Sequence, residues 1–143
     1  MKKLLLILSV IFMASCSSDD DSGDVNNFEF DEIETIISQG TWMVTNYTEG
    51  ETNQTASFES FIFTFKEDGT VSAENDLFAE NGTWAYDGNS TEEERFKLQF
   101  GQTTPFDLIT ENWIILSLTD TQVELMVTNG NTGEPETLTF TKI

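Results

Sequence analysis

The chain has 143 residues, with 26 Asp and Glu against 6 Lys and Arg and no His, so its formal net charge at pH 7 is −20. This length predicts one domain. The acidic excess argues against nucleic acid as a partner, because binding phosphates requires clustered Lys and Arg. It equally opposes electrostatic adhesion to anionic lipid. Such a charge is typical of an exposed protein that stays soluble, and we expect a monomer.

The first sixteen residues have the pattern of a secretory signal. Met1–Lys3 supplies a charged start, Leu4–Ala14 is apolar, and Ala14 and Ser15 are small residues before Cys16. The apolar stretch is too short for a membrane-spanning helix, which needs roughly 20 residues. Met13–Cys16 resembles the lipobox of bacterial lipoproteins. The resemblance implies cleavage before Cys16 and attachment of acyl chains, palmitate among them, to this residue.

The N-terminal signal divides the chain into three parts: a signal peptide over 1–15, a flexible acidic tether over 16–27, and a folded domain over 28–143. We expect the lipid at Cys16 to hold the protein in the cell envelope, at the outer membrane. Ser18–Asp21 resembles acidic signals that route some Gram-negative lipoproteins to the outer cell face, and a plain solvated linker is the alternative. Cys16 is the only cysteine, so its modification would leave no thiol for a disulfide or a metal.

A short helix is predicted at the start of the folded domain. Within Asp31–Ser38, Ile33, Ile36 and Ile37 follow helical spacing, and acidic residues occupy the first turn, where the helix dipole favours them. Gly40 is expected to end this helix.

From Thr41 onward the pattern has a period of two, which predicts half-buried strands. Eight runs show it, beginning near Trp42, Phe61, Val71, Trp84, Phe96, Ile114, Val123 and Leu138. The connections are too short for helical crossovers, so the strands are expected to be antiparallel. An up-and-down barrel and a sandwich are the two main outcomes. Tight turns at Glu67–Gly69 and Asp120–Thr121 alternate with longer connections, including Asn75–Gly82, which favours a cup-shaped barrel with one closed end.

Short motifs along these strands resemble the lipocalin family. Gly40-Thr41-Trp42 resembles the Gly-x-Trp signature that opens the first strand after a short helix, and Thr119-Asp120 resembles the start of the Thr-Asp-Tyr motif, with Thr121 in place of Tyr. The resemblance implies an all-β, eight-stranded, antiparallel up-and-down lipocalin-like barrel. It also makes Gly40, Trp42 and Lys142 the residues that close the barrel. The C-terminal Arg of the family is missing, and Lys142 or Arg95 could replace it through a cation–π contact with Trp42.

Most recognisable catalytic chemistry is absent from the sequence. Without His there is no Ser-His-Asp or Cys-His arrangement and no His-ligated metal, and the isolated turn glycines form no phosphate loop. Asp87–Glu94 lacks the alternating oxygen ligands of a calcium loop. We therefore expect no enzyme, no catalytic residue, no cofactor and no metal site.

Apolar residues in the longer connections define the candidate site, because such connections usually carry polar residues. The candidate ligand-binding residues are Leu77, Phe78, Trp84, Tyr86, Phe106, Leu108 and Ile109. The leading hypothesis is a small apolar ligand at the barrel mouth. Alternatively, these residues form a hydrophobic lid over a filled barrel, and the protein binds a partner protein or a glycan through its surface. For Trp84 and Tyr86, simple core packing is the competing interpretation.

Overall fold

The computed structural model describes residues 30–88 and 93–143. The signal peptide, Cys16, the tether and part of the Asp87–Glu94 connection lie outside the described residues. The elements are helix α1 (Phe30–Ser38) and strands β1 (Trp42–Glu49), β2 (Thr52–Asn53), β3 (Ile62–Phe65), β4 (Thr70–Glu74), β5 (Ala79–Asp87), β6 (Arg95–Gln99), β7 (Asn112–Leu118), β8 (Gln122–Thr128) and β9 (Pro135–Lys142). Two 3-10 helices, Thr55–Ser57 and Phe106–Ile109, lie in connections.

The strands form a closed antiparallel barrel, which confirms the predicted fold class. The order is β1-β3-β4-β5-β6-β7-β8-β9, and β9 pairs again with β1. The predicted helix is present, and Gly40 follows it with a φ of 85°, a conformation that favours glycine. Strand β2 was not predicted because its two residues are too few to show an alternating pattern. It pairs only with the end of β1, so the barrel itself has the eight predicted strands.

One seam of the barrel is completed by a connection. Strand β1 pairs with β9 from Trp42 to Glu49, but pairs with β3 only at Trp42↔Phe63. Beyond that pair, Tyr47 donates its backbone N–H to Thr55 Oγ1 at 2.8 Å and accepts from the Gln54 N–H at 2.9 Å. The side chain of Phe58 is buried beside this segment. The connection between β1 and β3 therefore fills the seam.

The two ends of the barrel differ as the loop lengths suggested, with one correction. The turns β3–β4 and β7–β8, the end of β5, the start of β6 and α1 lie at one end, here called the closed end. The other end, the open end, carries residues 50–61, 75–78, 100–111 and 129–134. The β4–β5 connection, predicted as Asn75–Gly82, is the tight turn Asn75–Phe78, because β5 already begins at Ala79.

Two side chains of the barrel form hydrogen bonds with helix α1 and hold it at the closed end. The Trp42 indole donates to the Ile37 carbonyl at 2.9 Å, and Lys142 Nζ donates to the Ile36 carbonyl at 3.3 Å. Lys142 Nζ also lies 4.8 Å from the centroid of the Trp42 ring. The cation–π contact suggested by the lipocalin resemblance is thus present with Lys142, whereas Arg95 pairs with Glu93 at 2.7 Å.

Candidate functional site

An aromatic cluster lies under the open end, and the 3-10 helix Phe106–Ile109 supplies its centre. Phe106 and Ile109 are fully buried. The ring centroid of Phe106 lies 4.9 Å from that of Phe61 and 5.2 Å from that of Phe100. Phe78 stacks on it at 6.2 Å with an interplanar angle of 11°. Separations of this size are those of favourable aromatic pairs, so the cluster closes the top of the barrel.

Ring contacts continue from this cluster down the barrel. Phe63 lies 6.4 Å from Phe106 and 5.2 Å from Phe140, measured between ring centroids. Phe140 in turn lies 5.5 Å from Phe65, and Phe65 lies 6.0 Å from Trp84 near the closed end. We call Phe106, Phe63, Phe140, Phe65 and Trp84 the aromatic column. An eight-stranded barrel has room for filling side chains or for one small ligand, and here side chains run along its length.

Trp84 and Tyr86 lie away from the other candidate residues. The Trp84 backbone N–H donates to the Gly69 carbonyl and its indole to the Lys66 carbonyl, both at 2.9 Å, which places Trp84 beside the β3–β4 turn of the closed end. Tyr86 is two residues further along β5. Its pKa is raised to about 12, mainly by burial and next by a hydrogen bond with Glu94. The structure therefore does not join these two residues to the predicted mouth.

Leu77 and Phe78 lie on the surface of the open end. Leu77 is 95% exposed and Phe78 is 42% exposed. The turn that carries them is fixed by Asn75, whose Oδ1 accepts the backbone N–H groups of Leu77 and Phe78 at 2.9 and 2.8 Å. Asn75 also donates its backbone N–H to the Phe78 carbonyl and its side-chain amide to Ser60 Oγ. Leu77 is thus held outward on an ordered turn.

A polar network at the open end was missed by the sequence analysis. The Tyr47 hydroxyl lies 3.1 Å from Glu49 Oε1 and 3.0 Å from the carbonyl oxygen of Leu108, which itself is half-buried. Burial, then the negative charge of Glu49, raises the pKa of Tyr47 far above its ordinary value. Glu136 is buried and accepts from the Asn129 amide. Its position in phase with the inward-facing Leu138 and Phe140 is the signal that could have identified it.

Two clefts open between the connections of this end, and both are lined mainly by polar side chains. The larger, of about 410 Å³, is bordered by Glu111, Val127, Thr128, Asn129, Gly130, Asn131 and Glu136. The smaller, of about 240 Å³, is bordered by Glu49, Gly50, Thr52, Asn129, Thr132, Glu134 and Glu136. Within residues 30–88 and 93–143, no group of Asp and Glu is arranged to hold a metal ion.

Charge is distributed unevenly between the two ends. The connections of the open end and the strand ends beside them carry many acids and no Lys or Arg; these acids are Glu49, Glu51, Glu59, Glu74, Asp76, Glu80, Asp107, Glu111, Glu134 and Glu136. Lys66, Arg95 and Lys142 lie at the closed end, and Lys97 lies in the middle of β6. The open end is therefore anionic throughout, whereas the closed end carries both signs of charge.

Comparison with known proteins supports the fold and nothing finer. No family model matches the sequence, and no curated protein matches it. The fold is similar to that of a DUF4847 family protein from Bacteroides vulgatus ATCC 8482, known from a crystal structure at 1.00 Å resolution. The two share 20% sequence identity with a TM-score of 0.50, over 76% of this chain and 96% of that chain. Among the residues described, no helix has the length and apolar character needed to cross a membrane.

Proposed function

We propose that this protein is a lipid-anchored, non-enzymatic lipocalin-like module of the cell envelope that binds a partner protein through the open end of its barrel. The observation that carries the proposal is the aromatic column, which occupies the barrel where a carrier would hold its ligand. With the interior taken by side chains, recognition is left to the surface. The exposed Leu77 on its ordered turn supports the choice of the open end as that surface.

The lipid anchor is the second part of the proposal and rests on the sequence before the barrel. A charged start, an apolar stretch and small residues precede Cys16. A tether over residues 16–27 would reach at most roughly 40 Å when extended, enough to hold the barrel clear of the lipid headgroups. Cys16→Ala should abolish labelling by an alkyne analogue of palmitate and release the protein from the membrane fraction, whereas Ser17→Ala should leave both unchanged. Persistent labelling of Cys16→Ala would contradict the anchor.

One observation favours a second candidate, a small apolar ligand at the mouth. Phe78 is partly exposed and stacks on the buried ring of Phe106, so displacement of a single turn would uncover an apolar surface. A titration with a fluorescent fatty acid separates the two candidates. The filled barrel predicts no saturable binding by the wild type and a gained site in Phe106→Ala. If the wild type binds the fatty acid saturably and Phe78→Ser weakens this binding, the ligand candidate is favoured instead.

A further inference from the structure

We infer that the open end docks a cationic segment of the partner protein, one that is rich in Lys and Arg and presents at least one exposed apolar side chain. The inference rests on the proposed function and adds the chemical class of the partner. It is carried by two independent features of the open end: an apolar corner formed by Ile62, Leu77 and Phe78, and an anionic surround that contains no basic residue.

The apolar corner is formed where β3, β4 and β5 meet. Ile62 is 46% exposed and pairs with Glu74, the residue that precedes the Asn75–Phe78 turn. The Asn75 amide donates to Ser60 Oγ at 3.1 Å, which ties the turn to the segment just before β3. Single exposed apolar residues are ordinary, but here three lie close together in the fold: Leu77 and Phe78 in one turn, and Ile62 two residues after Ser60, which that turn contacts. The other strongly exposed large apolar residues in the described part of the chain, Leu116 and Ile143, lie on β7 and at the closed end.

The turn is preorganised for binding. The side-chain oxygen of Asn75 accepts hydrogen bonds from the backbone N–H groups of Leu77 and Phe78, so little conformational freedom remains to be lost when Leu77 is covered. Phe78 is supported from below by its stacked contact with Phe106. Leu77, by contrast, is almost wholly exposed and contributes little to the core. A partner that covers Leu77 would bury apolar surface at a small entropic cost.

The charges around the corner select the partner. Glu59, Glu74 and Asp76 flank it, and across the barrel end the two clefts are lined by Glu49, Glu111, Glu134 and Glu136 without a nearby Lys or Arg. A segment with Lys and Arg is attracted to such a surface, and guanidinium or ammonium groups suit clefts with carboxylate and amide walls.

Two other occupants are disfavoured by the same charges. A second copy of this chain would bring one anionic open end against another, and like charges in an interface are strongly unfavourable. An anionic lipid surface would repel the acids that flank Leu77. A polybasic protein segment with an apolar side chain fits both the apolar corner and the acidic surround.

The test measures binding of a fluorescein-labelled peptide of Lys, Leu and Ser to the full lipidated protein in phosphatidylcholine vesicles. Leu77→Ser should weaken binding about fivefold or more, the scale of a hot-spot side chain, and Leu116→Ser, the matched exposed leucine, should not. Glu59→Gln/Asp76→Asn should weaken it more than Glu67→Gln/Asp120→Asn, which removes the same charge at the closed end. Replacing Leu by Ser in the peptide should weaken binding in the same way.

Three results would overturn the inference. Equal losses from the two double variants would indicate general charge attraction, and an unchanged affinity in Leu77→Ser would remove the apolar corner. Burial of a polarity-sensitive fluorophore at position 77 of the anchored protein in peptide-free vesicles containing phosphatidylglycerol would assign the corner to lipid.

Photo-crosslinking in intact cells separates this inference from the proposed function. Suppose that a photoreactive residue at position 77 crosslinks a protein, that one at position 116 does not, and that the peptide does not bind. This result would reject the cationic partner and retain the proposed function. Failure of both experiments would reject both. Crosslinking at position 77 together with Leu77-dependent peptide binding is the result we expect.

Discussion

The two ends of this barrel cover the interior in different ways, and that difference underlies the proposal that the open end faces a partner. Both ends must cover an apolar interior. The closed end uses helix α1, whose last carbonyls accept hydrogen bonds from Trp42 and Lys142. Three of the four basic residues in the described part of the chain lie there. The open end uses aromatic rings from its connections, surrounds them with acids, and leaves Leu77 exposed.

Under the proposed function, the closed end serves stability and the open end serves recognition. At the closed end, the cation of Lys142 is used twice within the fold, once over the Trp42 ring and once on the Ile36 carbonyl. At the open end, the acids have no basic neighbours in the connections, and an apolar side chain extends from a rigid turn. Surface groups that the fold does not use are the ones available to a partner. The following predictions test that division.

The largest expected effect comes from the centre of the aromatic cluster. Phe106→Ala should lower the free energy of unfolding by about 3–5 kcal/mol, because it removes a fully buried ring and leaves a cavity. Phe78→Ala, at a partly exposed ring of the same stack, should cost clearly less. Urea denaturation of both variants measures the two losses. Equal losses would mean that Phe78 is as much a part of the core as Phe106.

The next effect concerns the close packing of β5 against β6. A Cβ at Gly82 would lie 2.8 Å from Cδ1 of the Phe100 ring and would press on the Gln99 carbonyl oxygen. Gly82→Ala should therefore destabilise the barrel by about 1–3 kcal/mol, as overpacking does. Gly130→Ala is the matched control, because nothing lies within 4 Å of its Cβ. Thermal denaturation in which the two variants behave alike would contradict the packing described here.

A smaller effect is expected at the closed end. Lys142→Met keeps the aliphatic stem but removes the ammonium group over Trp42 and its bond to the Ile36 carbonyl, and should cost about 1 kcal/mol. Lys66→Met removes an exposed charge at the same end and should cost less. If the two substitutions cost the same by urea denaturation, the Lys142 contacts would not be what holds α1 in place.

The smallest effect is a difference between the two tyrosines in alkaline solution. Tyr86 should ionise near pH 12, and Tyr47, at the open end, only above that, because burial and nearby carboxylates raise both pKa values. Where folding raises the pKa of a tyrosine, the neutral side chain contributes fully to stability below the ordinary tyrosine pKa of about 10. This contribution is lost as the pH rises beyond that value. Absorbance at 295 nm should therefore stay flat at pH 10. Tyr86→Phe isolates Tyr47, and ionisation near pH 10 in that folded variant would contradict its burial.

Much of the fold could be predicted because alternation records which side of a strand is buried. Phe63 and Phe65 face inward with Ile62 outward, as their period of two indicates. The tight β4–β5 turn was predicted too long, because Ala79, Glu80 and Asn81 show no clear alternation although they pair with β4. That the acids of several distant connections surround one end of the barrel became evident only once the topology placed those connections side by side.

The candidate site was only partly predictable, for a related reason. Phe78, Phe106 and Ile109 meet at the open end, but whether apolar residues in a connection face a ligand or each other depends on packing between segments far apart in sequence. Trp84 shares the strand of the mouth turn yet lies at the far end, since β5 runs the length of the barrel. The inward-facing Glu136 was overlooked because an acid interrupts an otherwise apolar face.

Xenon-pressurised crystals would show whether side chains fill the barrel from Phe106 to Trp84. Xenon occupies apolar cavities that lack side chains, as engineered cavities show. The wild type should contain no xenon along the aromatic column, and Phe106→Ala should gain a site beneath the open end. Xenon in the wild-type barrel between Phe106 and Trp84 would contradict the account and restore an internal ligand site as the better explanation.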